Sequence, residues 1–486
     1  MVSDIFDRGR DGHSKWVVDL AAKGAYWVLR VPMLRGFFLG KLFGRLRTSC
    51  EETETDTEKM REITWVTSRL DAFMDRVFRE RPAASRAILR FLAAYMRDVY
   101  KRGAAEQANR PSPITVVIEP TDRCNLSCPG CYAKSARDGC DLSYEHLAAI
   151  VQEVTNMGVS IITVSGGEPF LREKSDWALT RLAERFPDRG FLVYTNGTMI
   201  DEKIADRLAV VGNIFAAISV EGFEHQTDAR RGRGIYEANR LARKLLADRG
   251  VLAGFSATIT RENVESICTD DFLELRIAEG DMFGWFFLIN PIGRSPRTDL
   301  MVTAEQRSML RDAIYRWRAE HRPVLLGDFW NDGPVVGGCI AGARYYFHIY
   351  ANGDISPCVF SPVACGNIFD IINGKSPYKT LAEFVEKHPM FVAFRKAQKG
   401  ITDRARPCLL IDNPEIFRAL CREHPHRPAR NMPPSYLDGE IARAIDERAA
   451  EWKCFCAEKL PPLPSQLEAQ RTAAQAPAEP QRACVS

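Results

Sequence analysis

The run Cys124-Asn125-Leu126-Ser127-Cys128-Pro129-Gly130-Cys131-Tyr132 constrains this chain more than any other stretch. Its three thiols stand four and three residues apart, so one loop can turn all of them towards a common centre. The β-branched run before it, 114–118, predicts a buried strand. The cysteines therefore lie on a loop that leaves the carboxyl end of a strand, which is where α/β folds place their binding sites.

Three thiols on one loop suit an iron–sulfur cluster with an incomplete set of protein ligands. A [4Fe–4S] cluster usually takes four cysteines, so three thiolates would leave one iron open to a second molecule. Taken alone, the loop also allows a zinc site or a set of buried thiols, because Cys-x-x-Cys pairs bind zinc as well.

A second motif, Gly166-Gly167-Glu168-Pro169, follows the next predicted strand, 160–165, at its carboxyl end. Two adjacent glycines let the backbone approach a ligand closely, and a carboxylate can accept a hydrogen bond from an ammonium group. By itself the tetrapeptide is more typical of an ordinary strand-to-helix turn. One strand after a loop of three cysteines, it favours a binding site.

Together the CxxxCxxC loop and the GGEP motif resemble the signature of the radical S-adenosylmethionine (SAM) enzymes. The resemblance implies that Cys124, Cys128 and Cys131 bind a [4Fe–4S] cluster whose open iron is chelated by the amino and carboxylate groups of SAM. It also implies that one electron from the cluster cleaves SAM to a 5′-deoxyadenosyl radical, and that the GGEP motif lies against the amino group of SAM. The electron would come from a donor such as flavodoxin or ferredoxin.

The chain departs from the commonest form of this signature at one position. That form has an aromatic residue before the third cysteine, whereas here Gly130 precedes it and Tyr132 follows it. The variant resembles the branch of the family that carries additional C-terminal cysteines.

Polar residues at the ends of the third and fourth predicted strands, 190–195 and 214–220, extend the resemblance. It implies that Asn196 and Ser219, and Arg231 in the stretch 225–232 after the fourth strand, contact SAM, Ser219 and Arg231 above all. The alternative is that these residues only form turns, since polar residues are common at strand ends. No residue of the chain is assigned a catalytic role.

Length and composition restrict the class of protein. The 486 residues allow two to four domains, and the formal net charge of +3 gives no reason to expect a nucleic-acid partner. Fourteen cysteines without a recognisable secretory signal indicate a reducing compartment, with thiols used for metal rather than for disulfides. We therefore expect a cytoplasmic protein.

The segment 16–47 is rich in aromatic and aliphatic residues that basic and acidic residues interrupt every few positions. It contains no uncharged run near the roughly 18 residues that a membrane-spanning helix needs. It suits equally a peripheral contact with the inner face of a membrane and a helix packed on the protein itself. Helical periodicity then recurs over 63–77 and 88–99 and predicts two amphipathic helices with buried faces.

From residue 113 the sequence alternates between strand and helix patterns, which predicts parallel strands joined by right-handed crossovers. The family resemblance makes this an α/β fold, the partial (β/α)6 TIM-like barrel of radical SAM enzymes, while the spacing alone also allows an open doubly wound sheet. The predicted domains are a helical accessory region 1–110, the barrel 111–335, a cysteine-rich extension 336–460 and a disordered tail 461–486. The predicted strands are 114–118, 160–165, 190–195, 214–220, 252–259 and 282–290.

The extension resembles the SPASM-type module, which holds auxiliary iron–sulfur clusters. Cys339, Gly353 and Cys358 have its spacing, and the aromatic run 345–350 with the Asn-Gly turn after it predicts a β-hairpin. The later cysteines depart from that family's tight group of four. The resemblance therefore implies one auxiliary cluster, with a zinc site or simple packing as the alternatives. Its expected ligands are Cys339, Cys358, Cys408 and one of Cys365 or Cys421.

Three functions agree with these observations. The first is a radical SAM enzyme that abstracts hydrogen from a small or lipid-like molecule. The second is a SPASM-type maturase that modifies a peptide or protein, and the third is a metal-binding scaffold without catalysis. The basic, aromatic N-terminal segment and the lack of an evident peptide-recognition domain favour the first.

Overall fold

The computed structural model describes residues 73–107 and 110–460. The segment 16–47, most of the predicted helix 63–77 and the tail 461–486 lie outside the described residues.

The main sheet in the described part of the chain has ten strands, and eight of them run parallel. They are β1 (Thr115–Ile118), β2 (Ile161–Val164), β3 (Gly190–Thr195), β4 (Ile214–Val220), β5 (Ala253–Ile259), β6 (Phe283–Leu288), β7 (Leu325–Asp328) and β8 (His348–Ile349). Strands β1 to β7 pair in chain order, and β8 pairs with the free side of β1, where His348 is opposite Val117. The predicted partial (β/α)6 barrel is confirmed in β1 to β6. The short strands β7 and β8 extend it at both edges.

Helices cover the outer face of this sheet. Their bounds are α1 (Pro82–Gln107), α2 (Tyr144–Asn156), α3 (Leu171–Ser175), α4 (Ala178–Arg185), α5 (Glu202–Val211), α6 (Glu224–Arg231), α7 (Ile235–Asp248), α8 (Val264–Ile267), α9 (Asp270–Ala278) and α10 (Ala304–Ala319). Residues 73–80 are also helical. One core joins the apolar faces of α2, α4 and α5 to the outward side chains of β1 to β4.

Side-chain caps fix where several of these helices begin. The Ser143 hydroxyl accepts a hydrogen bond from the backbone N–H of His146, and the Asp201 carboxylate accepts one from that of Ile204.

The helical residues before the barrel close its amino-terminal end. Met74, Val77 and Ile88 pack with Leu252 and Met282, which stand directly before β5 and β6. Polar contacts add to this packing: Arg76 Nη1 donates to the carbonyl of Asp281 over 3.2 Å, and Arg81 Nη2 to that of Gly280 over 2.6 Å. The predicted core contacts of these helices are confirmed for the part that the structure describes. Within residues 73–107 and 110–460, no helix combines the length and the apolar character needed to cross a membrane.

The C-terminal extension continues the sheet instead of standing apart from it. Strand β8 turns into β9 (Asp354–Ser356) through the predicted hairpin, and Gly353, at φ 84°, donates its N–H to the carbonyl of Tyr350 over 2.8 Å. Buried His348 lies 3.2 Å from buried Glu119, which directly follows β1. The remaining elements are β10 (Val363–Ala364), β11 (Gly366–Asn367), β12 (Arg427–Pro428), α11 (Gly333–Val336), α12 (Ile368–Ile372), α13 (Leu381–Lys387), α14 (Pro389–Gly400), α15 (Pro414–Glu423) and α16 (Glu440–Lys459).

Candidate functional site

A cavity of about 330 Å³ lies at the carboxyl ends of the strands. Every residue that the sequence predicts around the first cluster lines it, except Pro169 of the GGEP motif. These residues are Cys124, Cys128, Cys131, Gly166, Gly167, Glu168, Asn196, Ser219 and Arg231.

The cysteine loop is held in place by backbone and side-chain contacts from distant parts of the chain. The N–H of Cys124 donates to the carbonyl of Ala136 over 2.9 Å, and the N–H of Arg294 donates to that of Cys131 over 2.8 Å. Asn431, in the C-terminal extension, donates from Nδ2 to the carbonyl of Tyr132 over 3.1 Å. These contacts fix the backbone at both ends of the loop.

The thiols of this loop fit a metal cluster. Burial, together with the neighbouring charges of Glu168, Cys131 and Cys128, raises the pKa of Cys124 to about 12. A thiolate here is costly until a cation compensates its charge, and cluster iron supplies that charge. The N–H of Leu126 already points at Cys124 Sγ over 3.4 Å, a contact that favours the thiolate.

The two glycines of the GGEP motif make room for the cysteine loop. A Cβ atom would lie 2.7 Å from the carbonyl oxygen of Thr121 if placed on Gly166, and 1.9 Å from that of Arg123 if placed on Gly167. The sequence predicts that these glycines let the backbone approach a ligand. In the structure they let the GGEP loop approach the loop that carries the cysteines. Backbone hydrogen bonds from Gly167 to Thr121 (2.9 Å) and from Glu168 to Arg123 (2.8 Å) hold them together.

Glu168 ties this motif to the end of β3. Its carboxylate accepts from the Thr195 hydroxyl over 2.7 Å, from the Asn196 N–H over 2.7 Å and from the Phe170 N–H over 3.0 Å. Burial raises the pKa of Glu168 although these hydrogen bonds oppose the shift. A carboxylate has about four acceptor positions, so the three donors leave capacity for one more on the cavity side.

Asn196 connects β3 to the cysteine loop. Its Nδ2 donates to Oδ1 of Asn125 over 2.9 Å and lies 3.9 Å from Cys124 Sγ. The side chain of Asn125 in turn donates to the Thr198 hydroxyl over 2.8 Å. The loops after β1, β2 and β3 therefore form one network.

Arg231 brings a positive charge to the thiols. Its guanidinium contacts the buried carboxylate of Glu221 over 2.6 Å, and Arg230 shares that carboxylate at the same distance. Burial lowers the pKa of Arg231, but Glu221 and then Cys128 raise it, and the net shift is upward. Ser219 lies nearby on β4, with its Oγ 3.4 Å from that of Ser256.

The side of the cavity beyond the thiols and charged groups is mostly aromatic. It is lined by Tyr194, Trp285, Phe287, Phe329, Tyr346 and Phe360. Behind part of this wall is a second cavity of about 100 Å³, where Cys339, Cys358 and Cys408 come together. Burial raises the pKa of all three thiols, that of Cys358 to about 12, so an uncompensated thiolate is disfavoured at each of them.

The structure does not bring Cys365 or Cys421 to this second site. Neither lines either of the two cavities described here. After burial, the charge that raises the pKa of Cys365 is that of Cys421. The expectation that one of them is a fourth ligand therefore has no support in the geometry, because sequence spacing does not show which buried cysteines meet.

Two residues that line the larger cavity, Asn290 and Tyr346, were not predicted from the sequence. Asn290 follows β6 and lines the larger cavity with 3% of its surface exposed. Neither of its amide atoms has a hydrogen-bond partner within the described residues. The signal that singled out Asn196, a polar residue at the carboxyl end of a strand, would have found it. Tyr346 stood in an aromatic run interpreted only as a hairpin strand.

Residues 118–268 match the family described as the radical SAM superfamily. The chain is 31% identical to the mycofactocin maturase MftC of Mycobacterium ulcerans, over 51% of this chain and 69% of the relative. It is also 31% identical to the MftC of Mycolicibacterium smegmatis, again over 51% of this chain, and spans about 65% of that relative's length. Two further relatives are 25% identical: the PqqA peptide cyclase of Granulibacter bethesdensis (64% of this chain, 82% of the relative) and the AdoMet-dependent heme synthase of Nitratidesulfovibrio vulgaris (61% and 85%).

The family match covers the cysteine loop, the GGEP motif and the ends of β3 and β4, which are the elements that form the thiol side of the larger cavity. The cofactors of this family are SAM and a [4Fe–4S] cluster, and the thiols and polar groups of the cavity fit both. The chain belongs to the radical SAM superfamily.

Proposed function

We propose that this enzyme cleaves SAM reductively and abstracts hydrogen from an apolar side chain of a peptide substrate. One observation carries the proposal: a single cavity has the three loop thiols on one side and an aromatic wall on the other, with three further thiols behind that wall. A molecule bound against the aromatic wall would lie between the two groups of cysteines.

The residues that line the cavity would have distinct roles. Cys124, Cys128 and Cys131 would hold the first cluster, which supplies the electron for SAM cleavage. Arg231 places a positive charge beside the thiolates, and this charge favours an electron-rich cluster and an anionic carboxylate. Glu168 would hold the loops in register and use its remaining acceptor position for an ammonium group.

The relatives favour a peptide substrate over the small or lipid-like molecule that the sequence favours. Two relatives are named as maturases and one as a peptide cyclase. The relative named as a heme synthase supports the other class. The lining of the cavity argues against a multiply charged substrate, since among the described residues its charged side chains are Glu168, in the loop after β2, and Arg230 and Arg231, at the end of α6. The aromatic side suits an uncharged apolar side chain.

Anaerobic reconstitution tests the SAM chemistry. The wild-type protein should bind iron and sulfide and form 5′-deoxyadenosine from SAM under reducing conditions. Replacing Cys124, Cys128 and Cys131 together by Ala should abolish that product while the far-UV circular dichroism stays unchanged. Cys140→Ala is the matched control, because this exposed thiol does not line the cavity. Product formation by the triple variant would refute the proposal.

The peptide class is tested with a synthetic copy of a short peptide encoded beside the gene for this chain. We expect the peptide to stimulate 5′-deoxyadenosine formation and to change in mass. Digesting the peptide with proteinase K beforehand should remove the stimulation. Stimulation by a protease-resistant extract below 1 kDa, with no response to the peptide, would favour the small-molecule class.

Two partners predicted from the sequence stay proposals. They are an electron donor such as flavodoxin or ferredoxin and a peripheral membrane contact through residues 16–47, which lie outside the described residues. Binding of the full chain to anionic vesicles at low salt, lost on removal of residues 1–50, would support the membrane contact. Equal binding by both forms would contradict it.

A further inference from the structure

The two cavities share one wall. Five residues line both of them: Trp285, Phe329, Ile340, Tyr346 and Phe360. Among these five, the structure gives a side-chain hydrogen bond to a cysteine for Tyr346 alone, whose Oη lies 2.8 Å from Cys358 Sγ. Tyr346 thus lines the cavity proposed for the substrate and also contacts Cys358, a proposed cluster ligand.

Packing fixes the position of the Tyr346 hydroxyl. The residue is 2% exposed, and its ring lies edge-on to Phe329 with the centroids 5.8 Å apart. Its backbone is also anchored, because its N–H donates to the carbonyl of Ile340 over 3.1 Å and its carbonyl accepts from Ala343 over 2.9 Å. Cys358 is buried as well, and its sulfur accepts a second contact from the N–H of Phe360 over 3.4 Å.

We infer that Tyr346 donates a hydrogen bond to the Cys358 thiolate and thereby raises the reduction potential of the auxiliary cluster. A cysteine that binds iron has lost its proton, so the hydroxyl is the donor of this pair. Reduction adds negative charge that is partly carried by the sulfurs, and a donor at the sulfur stabilises the reduced form more than the oxidised one. The inference rests on the proposed function, because it needs a cluster at Cys339, Cys358 and Cys408.

The test is a redox titration of the reconstituted full-length protein, followed by electron paramagnetic resonance. Tyr346→Phe keeps the ring and removes the hydroxyl, so we expect a more negative potential for the auxiliary cluster. The potential of the SAM cluster and the iron content should not change. Tyr350→Phe is the matched control, since this buried tyrosine belongs to the same segment but pairs with the carbonyl of Ser361 and with Asn431.

A second variant guards against a packing defect in the first. Tyr346→3-fluorotyrosine keeps the hydroxyl and makes it more acidic, so the potential should move in the opposite direction, towards less negative values. Unchanged potentials in both Tyr346 variants, or equal shifts in Tyr346→Phe and Tyr350→Phe, would overturn the inference about Tyr346. Zinc at this site in the wild type, with four irons per chain, would instead overturn the auxiliary cluster itself.

Discussion

The backbone N–H of Asn196 donates to Oε2 of Glu168 over 2.7 Å, and this hydrogen bond joins the loop after β3 to the loop after β2. The glutamate of the GGEP motif is thus a structural acceptor as well as a candidate contact for SAM. Its two roles can be separated by measuring protein stability, iron content and SAM affinity on the same variants.

Glu168→Ala should lower both stability and SAM affinity. The substitution leaves the Thr195 hydroxyl and the N–H groups of Asn196 and Phe170 without their acceptor. A buried donor without a partner costs about 1–3 kcal/mol. Thermal unfolding and equilibrium dialysis with SAM measure the two effects, and iron content should fall less than SAM affinity does. Loss of iron with unchanged SAM affinity would show that Glu168 serves only the cluster loop.

Asn290→Leu should impair catalysis without destabilising the free protein. The change removes a buried carboxamide whose two polar atoms make no hydrogen bond to another described residue, so it breaks no such bond and the free energy of unfolding should not fall. Formation of 5′-deoxyadenosine should fall, because the amide faces the cavity of the thiols. Asn213→Leu is the control: the Nδ2 atom of that buried residue donates to three carbonyls, so the same substitution there should destabilise strongly. Destabilisation by both variants would mean that Asn290 has a structural role.

Arg231→Gln should make the reduction potential of the SAM cluster more negative. The positive charge of the Arg231 guanidinium acts on Cys128 and Cys131. Removing a positive charge beside a cluster disfavours the added electron. A redox titration measures the shift, and Arg240→Gln, which removes a charge at the exposed surface, should leave the potential unchanged. The same potential in wild type and Arg231→Gln would exclude this electrostatic role.

Replacing Cys339, Cys358 and Cys408 together by Ala should remove one cluster and about four irons per chain, since the cluster depends on its thiolate ligands. Some SAM cleavage should survive, because the first site is built by other strands. Cys365→Ala and Cys421→Ala should each leave the iron content unchanged, since neither thiol lines the second cavity. Loss of a cluster in either single variant would restore that cysteine as a ligand.

The sequence alone predicted those features that depend on the pattern of neighbouring residues. The β-branched and apolar runs marked β1 to β6 to within two residues at each end, and the thiol spacing marked the first site. Strand β7 was missed because Leu325–Asp328 is four residues long and includes a glycine and an acidic residue. The pairing of β8 with β1 and the position of Cys365 and Cys421 outside the lining of the second cavity depend on contacts between distant residues. No local spacing encodes such contacts.

The hydrogen bond from Asn431 to the carbonyl of Tyr132 joins residues that are 299 positions apart in the chain. Ribosomes add about 5–20 residues per second, so the cysteine loop leaves the ribosome about 15–60 s before this contact can form. Throughout that interval the chain lacks the C-terminal residues that contact the cysteine loop in the folded protein. Cluster insertion and protection from oxygen therefore become matters of timing during synthesis, and slowing translation after residue 132 should lower the yield of iron-loaded protein.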